Sequence, residues 1–321
     1  MRSTISVAPM MDWTDRHCRY FMRLLSPGAL MYTEMITAAA IQHGDAARLL
    51  SFNQAEHPIA VQLGGSDPAM MARAAIRAAE FGYDEININV GCPSDRVQSG
   101  QFGACLMLDP GLVADCFMAM QAVVDVPVTV KTRIGIDEHD SDEFLHQFIN
   151  PLVAAGCRRF VVHARIAVLS GLSPKENRSV PPLNYERVFR LKRNFPELDI
   201  VLNGGITDVT QVAELLSHVD GVMIGRQAYH QPFFLAELEQ YFDPEWIPTE
   251  RRLVVEQMMA YVESDLREGE SLSRVTRHML GLFSGLPGAR AWRRYLSENA
   301  HLDGVGPEVM MAALEAMSVE A

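Results

Sequence analysis

The sequence predicts an α/β chain, a (β/α)8 barrel followed by a C-terminal all-helical domain. Between residues 5 and 225, short β-branched runs alternate with longer helical patterns, the arrangement of parallel strands joined by helices. There are eight such units, and their span fits the ~250 residues of a typical barrel. Beyond Phe242 the alternation stops, and residues 245–321 carry no strand pattern.

The expected strands are Ile5–Met10, Leu30–Met35, Ile59–Leu63, Glu85–Val90, Val126–Arg133, Arg159–Ala164, Asp199–Asn203 and Gly221–Gly225. Helical periodicity fills the gaps, as in 67–82, 110–125, 142–156, 185–194 and 208–217. Asp-Pro and Ser-Asp-Pro open helices, and Gly82 and Gly156 close them, as capping requires. The tail reads as four helices broken near 269–271, 286–288 and 304–307. The two prolines of 243–249 suggest a linker, so the expected domains are 1–243, the barrel, and 244–321, the helical domain.

A hydrophobic share of 48% with 21% charged residues supports a large core and excludes a disordered chain. Apolar runs fall short of the ~20 residues that span a bilayer. The start at Met1–Thr4 lacks a signal-peptide pattern, so the cytoplasm is expected. The five cysteines, at 18, 92, 105, 116 and 157, show neither CxxC nor zinc spacing, so free thiols and no metal are expected. A net charge of −12 argues against nucleic acid, but Ser271–His301 holds five arginines against one acid, Glu298. Such a local patch can still hold a polyanion.

Barrel enzymes gather their chemistry at the C-terminal strand ends. Here those ends carry Pro9-Met10-Met11, Gln62, Asn89 with Cys92, Lys131, His163, Asn203-Gly204-Gly205 and Gly225-Arg226. Each alone is an ordinary polar or turn residue; together at one mouth they resist a purely structural account. The glycines after strands seven and eight let backbone N–H groups approach a phosphate, to which Arg226 can add charge-assisted bonds. No GxGxxG follows a strand, which excludes a Rossmann dinucleotide site. Gln62 and Lys131 suit a flat heteroaromatic ring, where a cation stabilises an anionic reduced flavin. Pro9, Met10 and Met11 can pack that ring.

Asn-Val-Gly-Cys-Pro-Ser-Asp at 89–95, Ala-Pro-Met-Met-Asp at 8–12 and Val-Lys-Thr-Arg at 130–133 resemble the tRNA-dihydrouridine synthases. His163-Ala164-Arg165, Asn203-Gly204-Gly205 and Gly225-Arg226 do as well. The segments 169–178 and 288–294 resemble the bacterial A-type subgroup, and the likeness runs from about Ile5 to about His301. The resemblance implies FMN as cofactor, NADPH as reductant, and D-loop uridines at tRNA positions 20 and 20a as substrate. It implies FMN contacts from Pro9, Met10, Met11, Gln62, Lys131, His163, Asn203, Gly204, Gly205, Gly225 and Arg226. It makes Cys92 the proton donor and Asn89 a contact to the flipped uridine. Lys175, Asn177 and Arg178 in the loop after strand six, with Arg290 and Arg293, are expected to contact tRNA. Arg290, Arg293 and Arg294 share a helix face by their i, i+3, i+4 spacing. The chain departs from the subgroup at Ile166 and Val168, where lysine and an aromatic are usual, and weaker tRNA affinity is expected from that loop. A monomer is expected.

Reducing the C5–C6 bond of uracil needs a hydride at C6, which FMN supplies from N5, and a proton at C5. A thiol of pKa about 8.5 is protonated at neutral pH yet able to give the proton up. Three alternatives keep parts of this reading. They are an FMN reductase of small molecules, a Schiff-base aldolase using Lys131, and an RNA-binding barrel without catalysis.

Overall fold

The computed structural model describes residues 5–266 and 270–320; the tetrapeptide Met1–Thr4 lies outside them. Eight parallel strands close a barrel in sequence order: β1 (Ile5–Val7), β2 (Leu30–Thr37), β3 (Ile59–Gly64), β4 (Glu85–Val90), β5 (Val128–Arg133), β6 (Arg159–His163), β7 (Asp199–Asn203) and β8 (Gly221–Ile224). Each predicted strand is present. β1 is shorter than expected: Ala8 still donates to Ile224 O at 2.8 Å, but Pro9 has no N–H with which to continue the ladder.

The capping expected from the sequence is built as described. Asp67 accepts from Met70 N ahead of helix Pro68–Phe81, and Gly82 ends that helix in the left-handed region. Asp109, Ser141 and Asp208 cap the helices at Pro110, Asp142 and Val209 in the same way.

Alternate residues of each strand face the barrel interior. One part of that interior is apolar and close-packed, with Ala8, Tyr32, Ala60, Val161, Val201 and Met223 in one cluster and Met10 against it. Polar rows fill the rest. Strand register sets Gln62 beside Asn87, Asn89 beside Lys131, Arg133 beside His163, and His163 beside Asn203. The polar residues scattered along the sequence are thus neighbours across the sheet.

By contacts the chain divides into two compact units, residues 1–11 with 29–225, and 12–28 with 226–321. This differs from the division at 243/244 expected from the linker. Helix Arg16–Leu25 follows β1 in sequence, yet its partners lie far along the chain. Asp15, its N-cap, pairs with Arg277 at 2.6 Å and with His278 at 3.0 Å. His17 bonds the Tyr261 hydroxyl at 2.7 Å, and Tyr20 stacks on the same ring. Sequence order does not reveal such long-range pairs. The tail forms the four expected helices, Arg251–Asp265, Ser273–Met279, Ala289–Asn299 and Glu308–Glu320. Trp292 is fully buried among them, its indole N–H donating to Met279 O at 3.0 Å.

Candidate active site

The catalytic candidate, Cys92, sits in the loop after β4, half-buried. The Asn89 carboxamide fixes that loop, its Oδ1 accepting from Gly91 N at 3.2 Å and Cys92 N at 3.0 Å. Its Nδ2 donates to Gln62 Oε1 at 2.7 Å. Asn89 is 8% exposed and so works first on the thiol's own loop. Ala104 N donates to Cys92 O at 2.9 Å, and the thiol lies 3.5 Å from Ser94 Oγ. Cys18, Cys116 and Cys157 are buried, and burial pushes the thiols of Cys116 and Cys157 up to about 12. Cys105, half-buried further along the same connection after β4, is also raised by burial, its thiol bonded to Phe102 O at 3.1 Å.

Two cations, Lys131 and Arg133, interact electrostatically with Cys92. Lys131, at the end of β5, donates to Asn203 Oδ1 at 3.1 Å. Burial, reinforced by Arg133 and opposed by Cys92, pushes its amine down to about 7. Arg133 reaches Gly91 O at 2.9 Å, Ile166 O at 2.9 Å and Asn177 O at 3.1 Å, and burial lowers it to about 10. His163 is 8% exposed; burial, followed by Arg133, Lys131, Arg165 and Arg178, holds its imidazole well below the usual range, so it is neutral. None of these three has a carboxylate among the charges that shift it. Buried Lys131 and Arg133 beside a neutral imidazole suit an anionic or electron-rich ligand.

Beside it lie the glycines after β7. Gly204 and Gly205 both have positive φ, +118° and +70°. A Cβ on Gly204 would fall 2.6 Å from His163 Cδ2, and one on Gly205 2.4 Å from Leu183 Cδ1. Gly225, after β8, differs: a Cβ there would meet nothing closer than Ala8 Cβ at 3.9 Å. Its bare backbone leaves open space, as close approach of a phosphate requires. Pro9 and Met10 are half-buried and Met11 is 53% exposed. Arg226 follows Gly225 in the chain and is exposed, in the second unit. Among the described residues no His, Cys, Asp and Glu group could hold a metal ion. A phosphate-bearing planar cofactor fits the residues of the barrel mouth.

The loop after β6 differs in part from expectation. Lys175 and Arg178 are exposed, as RNA contacts would be. Asn177 is not: it is fully buried, and its carboxamide is bonded to Val168 N and O at 2.8 Å and to Leu172 O and Ser173 O. Asn177 therefore shapes the loop rather than reading RNA. Ile166 and Val168 take part through their backbones, Ile166 O accepting from Arg133 and Val168 N and O bonding Asn177. In the second unit Arg290, Arg293 and Arg294 lie exposed on helix Ala289–Asn299.

Sequence reasoning passed over Arg133, Asn87 and Gln98. Parity was the available signal: Thr129, Lys131 and Arg133 are i, i+2, i+4 on β5, and Asn87 shares a face with Asn89 on β4. Gln98 gave no such signal; its Nε2 bridges Pro93 O at 2.9 Å and Leu169 O at 3.1 Å, joining two loops remote in sequence.

A closed (β/α)8 barrel with a thiol and a cation cluster at its C-terminal mouth defines a barrel enzyme of the cofactor-binding class. Residues 6–318 match the family model described as dihydrouridine synthase (Dus). A curated tRNA-dihydrouridine(20/20a) synthase of Shewanella oneidensis is 58% identical over 99% of this chain and 95% of its own length. Proteins of the same name from Vibrio cholerae and Escherichia coli K12 are 58% and 57% identical over 97% of this chain, covering 95% and 90% of their own lengths. The chain belongs to the dihydrouridine synthase family, a family of flavin-dependent enzymes.

Proposed function

We propose that this enzyme reduces D-loop uridines of tRNA, at positions 20 and 20a, to 5,6-dihydrouridine, with FMN as cofactor, NADPH as reductant and Cys92 as proton donor. The observation that carries the reading is the half-buried Cys92 on a strand-end loop fixed by Asn89, in electrostatic reach of Lys131 and Arg133. The relatives' shared name supports the two positions. Reduced FMN, when bound, supplies hydride to C6 of the uracil. Cys92 gives its proton to C5 from across the ring, and the neighbouring cations stabilise the thiolate left behind. Lys131 and Gln62 orient the flavin ring, while His163, Gly204, Gly205 and Gly225 accommodate the ribityl phosphate with Arg226. A neutral His163 can donate one hydrogen bond without adding charge.

The target base must leave the RNA stack, at a cost of a few kcal/mol that is least in loops. Lys175 and Arg178 on the barrel, and Arg290, Arg293 and Arg294 on the helical unit, offset it through phosphate contacts. Among the described residues no helix is long and apolar enough to cross a membrane; we take the enzyme to be a cytoplasmic monomer. The lowered Lys131 amine is also what a Schiff-base lysine needs. The family match over nearly the whole chain decides against that alternative.

The test is direct. Purified protein should carry flavin absorbance and, with NADPH, place dihydrouridine at 20 and 20a of transcribed tRNA. Cys92→Ala should keep its flavin and lose product formation by ~100-fold or more. Wild-type single-turnover rates in a flavin-loaded Cys92→Ala protein would refute the role of the thiol.

A further inference from the structure

A column of hydrogen bonds runs along the interior of the barrel from the Cys92 loop to the opposite end. It starts where Gly91 N and Cys92 N donate to Asn89 Oδ1. Asn89 Nδ2 donates to Gln62 Oε1 at 2.7 Å, Gln62 Nε2 to Asn87 Oδ1 at 2.8 Å, and Asn87 Nδ2 to Thr129 Oγ1 at 2.8 Å. Thr129 then donates to Glu85 Oε1 at 2.7 Å, and the Tyr32 hydroxyl donates to the same oxygen at 2.5 Å. Arg159 lies 3.7 Å from Glu85 Oε2. Every side chain in the column is 8% exposed or less.

The sense of the column is fixed by chemistry. Backbone N–H groups can only donate, so Asn89 must turn its oxygen to the loop and its amide nitrogen to Gln62. That choice dictates the orientation of Gln62, then of Asn87. The single proton of Thr129 is left to point at Glu85, so the last member must be an acceptor. A carboxylate, acceptor-only and held by a guanidinium, meets that demand. Reversing any amide would set donor against donor in a space closed to water.

We infer that Glu85 and Thr129, at the far end of the barrel from the thiol, are positioning residues that hold Gln62 and Asn89 in one orientation and so hold the Cys92 loop in register with its substrate. The inference rests on the thiol chemistry proposed above. Neither residue touches the reacting atoms. Their effect falls on the step that needs the thiol, through Asn89, and reaches the cofactor only through Gln62.

Thr129→Val keeps the volume and removes the hydroxyl; Thr129→Ser keeps the hydroxyl. Two readouts are needed. In flavin-free protein, iodoacetamide alkylation of Cys92, located by peptide mass, should change severalfold in Thr129→Val. In flavin-loaded protein with saturating tRNA, single-turnover formation of dihydrouridine should fall roughly tenfold or more. The KM for tRNA should stay within about twofold of wild type, and the alkylation of flavin-free protein separates an effect on the Cys92 loop from one on the cofactor. Thr129→Ser should restore both altered readouts, which a loss of packing alone would not do. Should Thr129→Val fail to fold, Glu85→Gln, equal in volume but no longer acceptor-only, makes the same test from the foot of the column. Wild-type alkylation and turnover in Thr129→Val, or a Thr129→Ser protein equally impaired, would overturn the inference. Failure of the thiol chemistry itself would show instead as a fully active Cys92→Ala, leaving the alkylation result to be read separately.

Discussion

Two guanidinium groups are buried on neighbouring strands of this barrel, at opposite ends, and their surroundings differ. Arg159, the first residue of β6, is 7% exposed and sits between Asp199 at 3.2 Å and Glu85 at 3.7 Å. Arg133, the last residue of β5, is 3% exposed and is bonded to three backbone carbonyls. Burial lowers both, but Glu85, Tyr32, Asp199 and Asp220 more than reverse this for Arg159, while Arg133 remains at about 10. Charge at the N-terminal end is balanced within the protein. At the mouth it is left in excess. An enzyme that must attract an anionic cofactor and an RNA, and stabilise a thiolate, gains from that excess, while the closed end has only stability to serve.

The comparison breaks most sharply at Lys131. Lys131→Met removes the lowered amine and its bond to Asn203, and flavin affinity should fall by ~100-fold, measured by fluorescence titration. Unchanged affinity would mean that the excess charge serves something other than the cofactor. At the balanced end the reverse is expected. Arg159→Met leaves Glu85 and Asp199 facing each other without their cation, and unfolding in urea should show a loss of about 3 kcal/mol. A loss below ~0.5 kcal/mol would show that the pair is not the anchor its geometry suggests.

Much of this was legible in the sequence, for a physical reason. The β/α alternation and the helix caps are local signals, and they gave all eight strands and the four tail helices. Cys92, Lys131, His163 and the glycine pair stood out because strand ends are recognisable and barrels use them. The unread part was long-range. Asn177 has the polarity of an RNA contact, and only the folded loop shows it fully buried and committed to Val168, Leu172 and Ser173. Glu85 opens its strand as an ordinary acidic residue; that it terminates a column from the thiol depends on strand register. Helix Arg16–Leu25 follows β1, yet its cap residue, Asp15, is held by Arg277 and His278.

The excess charge should also appear as protons. Lys131 is lowered from its ordinary value to about 7 in the folded protein. Between about pH 7 and 10.5 the folded state therefore lacks a proton that the unfolded state holds, so this group adds stability as pH rises through that window and none below it. An anionic ligand beside the amine raises its pKa again and draws the proton back. Calorimetry of FMN binding in two buffers of different ionisation enthalpy should show uptake approaching one proton near pH 8.5, fading below about pH 6. The uptake should vanish in Lys131→Met. Equal uptake in both proteins would place the titrating group elsewhere.

The smallest effect is expected where the cations are exposed. Arg290, Arg293 and Arg294 lie exposed on one helix of the second unit. In water their pairwise interactions are weak, so they add little to stability and little per contact to affinity. Their contribution is counterion release, which reads out as salt dependence rather than as a large change at any one concentration. Replacing all three by alanine should shift the slope of log K for tRNA against log salt by about 2 to 3 and leave flavin content and Tm unchanged. A parallel slope in the triple variant would assign these arginines to solvent alone. Phosphate binding would then fall to Lys175 and Arg178 on the barrel, where the same titration on their alanine variants would show the missing slope.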